Sequence, residues 1–194
     1  MGIIAALCGS FCGFVVNRDG IQIPSKRQNL QQIYTREIGV RELTGKNDGK
    51  RVQEYLHAVN LQGNLSYCSA FVCFCLEKAG ITNPKNGWTP ALFPQKRLIW
   101  VRNKEKSGLG AMQGLTTYNL LRTTPITGDV FGLFFQELKR IGHCGFVDSW
   151  DDIWCITVEA NTNDIRAGPG QGVFRKKRLV KTIYKVADWV KTTK

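Results

Sequence analysis

Residues 66–79 read Ser-Tyr-Cys-Ser-Ala-Phe-Val-Cys-Phe-Cys-Leu-Glu-Lys-Ala, a run that is apolar almost all round and stops at Gly80. A helix with apolar residues on every side is buried on every side, so the run predicts a central helix. Asn64 or Ser66 can accept hydrogen bonds from the unpaired N–H groups at its start, and either cap puts Cys68 in the first turn.

Cys68 is the candidate nucleophile of this helix. In the first turn, unpaired N–H groups and the helix dipole favour the thiolate, which is the reactive form of cysteine. Cys73 and Cys75 lie further along the helix, where this effect fades, and are interpreted as core residues. Helix position alone leaves a second interpretation of Cys68 open, an inert buried thiol.

Two amphipathic helices are predicted before the central one. Apolar residues recur at helical spacing over residues 28–38, and Gly39 can adopt the left-handed conformation that ends a helix. Residues 43–49 are rich in turn formers. The helix after them has one apolar stripe, formed by Val52, Tyr55, Leu56 and Val59. His57 lies off that stripe, which predicts an exposed histidine without a catalytic role.

The second half of the chain is predicted to form a sheet. Runs of β-forming residues cover 130–135, 144–150, 153–160, 173–178 and 183–190. Their close spacing predicts an antiparallel meander without crossover helices. Residues 83–124 are interrupted by prolines and predict loops with short elements. The predicted fold class is α+β, with helices first and strands after.

The chain has two histidines, and His143 lies between Gly142 and the Cys144-Gly145 pair, at the head of a predicted strand. Glycines on both sides let another group approach the imidazole closely. This context is compatible with a catalytic base and equally with a structural histidine that bonds to backbone.

Thr157, Glu159 and Asn161 share one face of the next predicted strand, because alternate residues point the same way. An adjacent antiparallel strand would bring that face beside His143. Glu159 or Asn161 could then hold the imidazole in a fixed orientation, as the third residue of a catalytic triad does.

These residues, in this order, resemble a CHAP domain, a member of the NlpC-type papain-like peptidases and amidases that cut bacterial peptidoglycan. The resemblance covers roughly residues 28–178. The segments that carry it are Asn47-Asp48-Gly49, Tyr55-Leu56, Tyr67-Cys68-Ser69-Ala70-Phe71-Val72, Gly128-Asp129-Val130, Gly142-His143-Cys144-Gly145-Phe146-Val147, Val158-Glu159-Ala160-Asn161-Thr162 and Gly172-Val173-Phe174.

The resemblance implies a papain-like, NlpC-type fold in which the cysteine helix packs on an antiparallel sheet. It implies that Cys68 is the nucleophile, His143 the base, and Glu159 with Asn161 the polar residues that complete the site. It also implies amide hydrolysis in peptidoglycan, by an N-acetylmuramoyl-L-alanine amidase or a stem-peptide or cross-bridge endopeptidase, with no metal and no cofactor. Many relatives have Trp where this chain has Tyr67, which changes the pocket wall and leaves the chemistry intact.

The chain is basic, with 27 Lys and Arg against 15 Asp and Glu and a net charge of +12. This charge favours anionic partners and supports an alternative function, a catalytically idle domain that binds anionic cell-wall polymer. Nucleic acid is the weaker candidate and is not the expected partner. The one basic cluster, Arg175, Lys176, Lys177 and Arg178, is interpreted as the solvated face of a strand in preference to a specific anion site.

The seven cysteines form neither a disulfide framework nor a CxxC zinc motif. A zinc site of Cys68, His143 and Cys144 is not expected, because neighbouring strand residues point to opposite faces.

Residues 1–16 carry no charge and are compatible with an export signal or with a buried N-terminus. They are too short for a membrane span, which needs roughly 20 apolar residues. The predicted organisation is an apolar segment over residues 1–27 and a catalytic domain over residues 28–194. The expected location is the cell envelope or the exterior.

Overall fold

The structure is a computed structural model that describes residues 14–16, 22–102, 124–163 and 171–191. Its fold class is α+β, as predicted, with helices in the first half and an antiparallel sheet built mainly from the second half. The predicted interpretations of residues 1–13 as a signal or a buried N-terminus lie outside the described residues.

The helices are α1 (Lys26–Arg36), α2 (Lys50–His57) and α3 (Cys68–Lys78). Helix α1 begins with a capping box in which Ser25 and Gln28 bond each other's backbone N–H, and Gly39 follows its end with φ +97°. The apolar stripe of α2 is buried and His57 is exposed, which confirms the predicted stripe and the predicted exposure of this histidine.

A six-stranded antiparallel sheet in the order β3-β8-β4-β5-β6-β7 forms the second layer. Its strands are β3 (Leu98–Val101), β4 (Val130–Phe135), β5 (Arg140–Trp150), β6 (Trp154–Asn163), β7 (Gln171–Leu179) and β8 (Lys185–Ala187). A separate antiparallel pair is formed by β1 (Phe14–Val16) and β2 (Gln22–Pro24). The predicted meander is confirmed for β4 to β7.

Two parts of the sheet differ from the predictions. The last strand covers Lys185–Ala187, whereas residues 183–190 were predicted. After β7 the chain makes a 3-10 turn at Val180–Thr182. It then returns to pair with β4 instead of extending the meander beyond β7. Strand β3, which comes from the proline-rich stretch and was not predicted, pairs with the free side of β8.

The main core lies between the helices and the sheet. Phe71 of α3 makes edge contacts with Tyr55 of α2 and Phe146 of β5, with ring centroids 5.4 and 5.8 Å apart. Tyr34 of α1 stacks on Phe146 at 4.8 Å. The nine residues from Cys68 to Leu76 are all buried, which confirms the central helix predicted from its all-round apolar pattern.

Arg27 ties α1 to the sheet. Its guanidinium donates to Asp129, just before β4, and to Asp188, just after β8, both at 2.9 Å. Arg27 is one residue before residue 28, the predicted start of the catalytic domain, and it already contacts the sheet. Among the described residues, no helix is long and apolar enough to cross a membrane.

Candidate active site

Helix α3 begins at Cys68, so the prediction that this cysteine occupies the first turn is confirmed. The predicted caps, Asn64 and Ser66, are wrong: Tyr67 is the N-cap residue, and no side chain caps the helix. The first hydrogen bond inside the helix runs from the Phe71 N–H to the Tyr67 carbonyl at 2.8 Å. The N–H groups of Cys68 and the two residues after it therefore have no partner within the helix.

Asn161 holds the backbone just before Cys68. Its Oδ1 accepts the Tyr67 N–H at 3.2 Å, while its Nδ2 donates to Asn47 Oδ1 at 2.7 Å and to Gln171 Oε1 at 2.6 Å. The register of β6 shifts after Glu159, and Asn161 has φ +55°. This irregularity breaks the predicted alternation, so Asn161 bonds to the backbone just before α3 and to two polar side chains, and none of these three hydrogen bonds goes to His143.

His143 on β5 and Glu159 on β6 come together as predicted. The imidazole Nε2 lies 2.9 Å from Glu159 Oε2, and both side chains are buried, with Glu159 fully inaccessible. Gly145 permits this pairing: a Cβ there would lie 2.5 Å from the Val158 carbonyl oxygen and 3.1 Å from Glu159 Cγ. Gly145 was predicted to allow another group to approach the imidazole, and the group that comes close to this glycine is the backbone of β6.

Glu159 accepts four hydrogen bonds. Arg178 donates through Nε to Oε1 and through Nη2 to Oε2, Thr157 donates its hydroxyl to Oε1, and His143 contacts Oε2. An ionised carboxylate has about four acceptor positions, so this one is fully bonded. Burial alone would raise the pKa of Glu159, but Arg178 and His143 outweigh it and lower that pKa to about 2.

Glu159 occupies Nε2 of the His143 ring, which leaves Nδ1 as the nitrogen available to a second partner. Burial opposes the imidazolium, but hydrogen bonds to Cys68 and Glu159 and their negative charges raise the pKa of His143 to about 9. The Cys144 thiol and, after it, the His143 imidazole favour the thiolate of Cys68 and hold the pKa of that thiol well below its usual value, although burial opposes this. Both shifts favour the thiolate–imidazolium pair over the thiol–imidazole pair.

The other described cysteines differ from Cys68 in this respect. Burial raises the pKa of Cys73 to about 11 and that of Cys155 to about 12, and it raises the pKa values of Cys75 and Cys144 well above the usual value. Of the five cysteines in the part of the chain that the structure describes, Cys68 is the one whose thiolate is favoured.

Three contacts of the site were missed by the sequence reasoning. Arg178 was assigned to a solvated basic face, yet its side chain is only 21% exposed and it pairs with Glu159. Thr89 comes from the uninterpreted proline-rich stretch, and its Oγ1 lies 3.8 Å from Cys68 Sγ. Cys144 was expected to point away from His143, but it also interacts with Cys68. The register of β7 on β6 would have found Arg178, whereas nothing in the sequence pattern points to Thr89.

Both candidate catalytic side chains are largely shielded from solvent, with Cys68 5% exposed and His143 8% exposed. Among the described residues, no group of three or more His, Cys, Asp or Glu side chains has the arrangement of a metal site. No protein-family profile, no curated protein and no solved structure matches this chain.

Proposed function

We propose that this protein is a papain-like cysteine hydrolase in which Cys68 is the nucleophile, His143 the general base and acid, and Glu159 the residue that orients the imidazole. One observation carries the proposal: the thiol at the start of α3 has its pKa lowered by a neighbouring histidine, and the Nε2 of that histidine lies 2.9 Å from a fully buried carboxylate. This is the arrangement of an activated nucleophile, a base and an orienting group.

The proposed reaction is acyl transfer in two steps. The Cys68 thiolate attacks the carbonyl carbon of an amide, and the C–N bond breaks as the His143 imidazolium gives its proton to the leaving amine. A water molecule then gives a proton to the neutral imidazole and attacks the thioester. The C–S bond breaks, which releases the carboxylic acid and regenerates the thiolate–imidazolium pair. The unpaired N–H groups of the first turn of α3 are suited to bind the oxyanion of both tetrahedral intermediates, a contribution of about 3 kcal/mol per donor.

The proposed substrate is bacterial peptidoglycan, cut as an N-acetylmuramoyl-L-alanine amidase or as a stem-peptide or cross-bridge endopeptidase. The CHAP-like order of segments supports this substrate class, and the net charge of +12 suits a surface that meets anionic cell-wall polymer. The proposed location, the cell envelope or the exterior, follows from that substrate.

A second candidate is an idle domain that binds anionic polymer without cleaving it. The observation in its favour is the low exposure of Cys68 and His143, which restricts access to the thiol. Reaction with iodoacetamide at pH 7 separates the two, because an activated, accessible thiolate is alkylated and a sealed thiol is not. We expect peptide mapping to find the label on Cys68.

Digestion of purified peptidoglycan tests the function directly, with soluble fragments analysed by mass spectrometry. Cys68→Ala and His143→Ala should each abolish fragment release, while Cys73→Ala is the matched control from the same helix and should retain it. Fragment release by a folded Cys68→Ala protein would exclude Cys68 as the nucleophile. The termini of the fragments identify the bond that is cut.

A further inference from the structure

The carboxylate that orients His143 is itself held by a residue outside the expected catalytic set. Arg178 is on β7, directly opposite Cys155 of β6. Paired residues share a face and alternate residues along a strand share it too, so Arg178 lies on the same side of the sheet as Thr157 and Glu159. From there its guanidinium donates to both carboxylate oxygens of Glu159.

We propose that Arg178 is a positioning residue of the hydrolase, which acts on Cys68 and His143 through Glu159. The inference rests on the proposed function. The two-point contact fixes the plane of the carboxylate, and the Thr157 hydroxyl occupies a further position on Oε1. Only Oε2 then remains to meet the imidazole, which restricts the ring to one orientation.

The charges of the site support the same role. His143 contacts Glu159, and Glu159 contacts Arg178. With the Cys68 thiolate, which His143 favours, the four groups alternate in sign and the sum of their charges is zero. Without Arg178 the three remaining ionised groups would carry a net negative charge in a buried place. A more negative surrounding raises the pKa of every neighbouring group, including the thiol and the imidazole.

Arg175 offers a matched control on the same strand. It has the same side chain three residues away, is 47% exposed and pairs with Asp148 at 3.1 Å, away from Glu159. Both Arg178→Met and Arg175→Met remove one positive charge from the protein. A difference between them therefore reports the effect of the charge beside Glu159, and not of the lower net charge.

The experiment measures the rate of Cys68 alkylation by iodoacetamide as a function of pH, with peptide mapping to isolate Cys68 from the other cysteines. We expect Arg178→Met to shift the acidic limb to higher pH by on the order of one unit, the effect of removing a nearby unit charge. Arg178→Lys should recover part of that shift, and Arg175→Met should leave the profile in place. An unchanged or downward-shifted profile in Arg178→Met, or an equal shift in Arg175→Met, would overturn the proposal.

A double-mutant comparison tests whether Arg178 acts through Glu159, and it does not need the Arg178→Met single variant to fold. If Arg178 acts through Glu159, then Glu159→Gln and Glu159→Gln/Arg178→Met should be alkylated at the same rate within about twofold, because coupled residues are not additive. A further tenfold loss in the double variant would mean that Arg178 acts independently of Glu159. Alkylation requires no peptidoglycan, so failure of the proposed substrate leaves this test intact, whereas an unreactive Cys68 in the unaltered protein would instead refute the hydrolase.

Discussion

Gly145→Ala is expected to damage the site through the backbone of the neighbouring strand. The new Cβ would lie 2.5 Å from the Val158 carbonyl oxygen, 2.9 Å from Phe131 Cε1 and 3.1 Å from Glu159 Cγ. An ordinary contact begins at 3.4 Å, so β5 and β6 must separate by about 0.9 Å at this point. The obstacle is a backbone atom within a paired ladder, which cannot rotate away.

The magnitude follows from two opposing effects. Overpacking of this kind costs about 1–3 kcal/mol, and replacing glycine by alanine within a strand returns roughly 0.5–1 kcal/mol. A net loss of about 1–2 kcal/mol lowers the melting temperature of a chain of this size by roughly 2–8 °C. Because Glu159 moves with the strand, its contact with His143 loosens, and a shift of about 1 Å in a catalytic arrangement can reduce the rate by about 100-fold.

Thermal unfolding followed by circular dichroism and alkylation of Cys68 at pH 7 measure the two effects separately. Gly80→Ala is the control: Gly80 has φ +66° and open space around it, so alanine there costs about 1 kcal/mol in backbone strain. It lies at the opposite end of α3 from Cys68, about 18 Å away along the helix. We expect both variants to lose stability and only Gly145→Ala to lose reactivity. Unaltered stability and reactivity in Gly145→Ala would refute the argument from strand packing.

Two further predictions concern His143 and Asn161. With the pKa of His143 raised to about 9, hydrolysis should decline as the pH rises through about 9, and Glu159→Gln should move this alkaline limb to lower pH. The stability that His143 contributes has the same sign: it is complete below about pH 6.5, the unfolded value, and is lost as the pH rises through 9. A pH–rate profile of both proteins checks this, and an alkaline limb unmoved by Glu159→Gln would contradict it. Asn161→Gly keeps the φ of +55° without strain and removes the hydrogen bond to the Tyr67 N–H, so it should speed amide exchange at the start of α3 and slow Cys68 alkylation. Unchanged exchange of the Tyr67 amide would mean that Asn161 does not hold the helix start.

Local pattern predicted much of the fold. The apolar run over residues 66–79 predicted a buried helix with Cys68 in its first turn, since the contacts that stabilise a helix join residues close together in the chain. Alternation along β6 placed Glu159 on the same face as Thr157, and the short connection from β5 made these strands neighbours. The contact between His143 and Glu159 followed from those two facts.

The features that only the tertiary structure decided depend on contacts between residues far apart in the chain. Strand β8 pairs with β4 and β3 because the chain turns back after β7, and no local periodicity encodes that choice. The irregularity in β6 that turns Asn161 towards Tyr67 depends on the pairing of β6 with β7. Arg178 was interpreted as part of a solvated basic run because its partner, Glu159, lies 19 residues earlier in the chain. The two residues become neighbours only through the register of β6 and β7. The sequence by itself identified Cys68 and His143 as the candidate nucleophile and base, and the strand register decided which residues surround them.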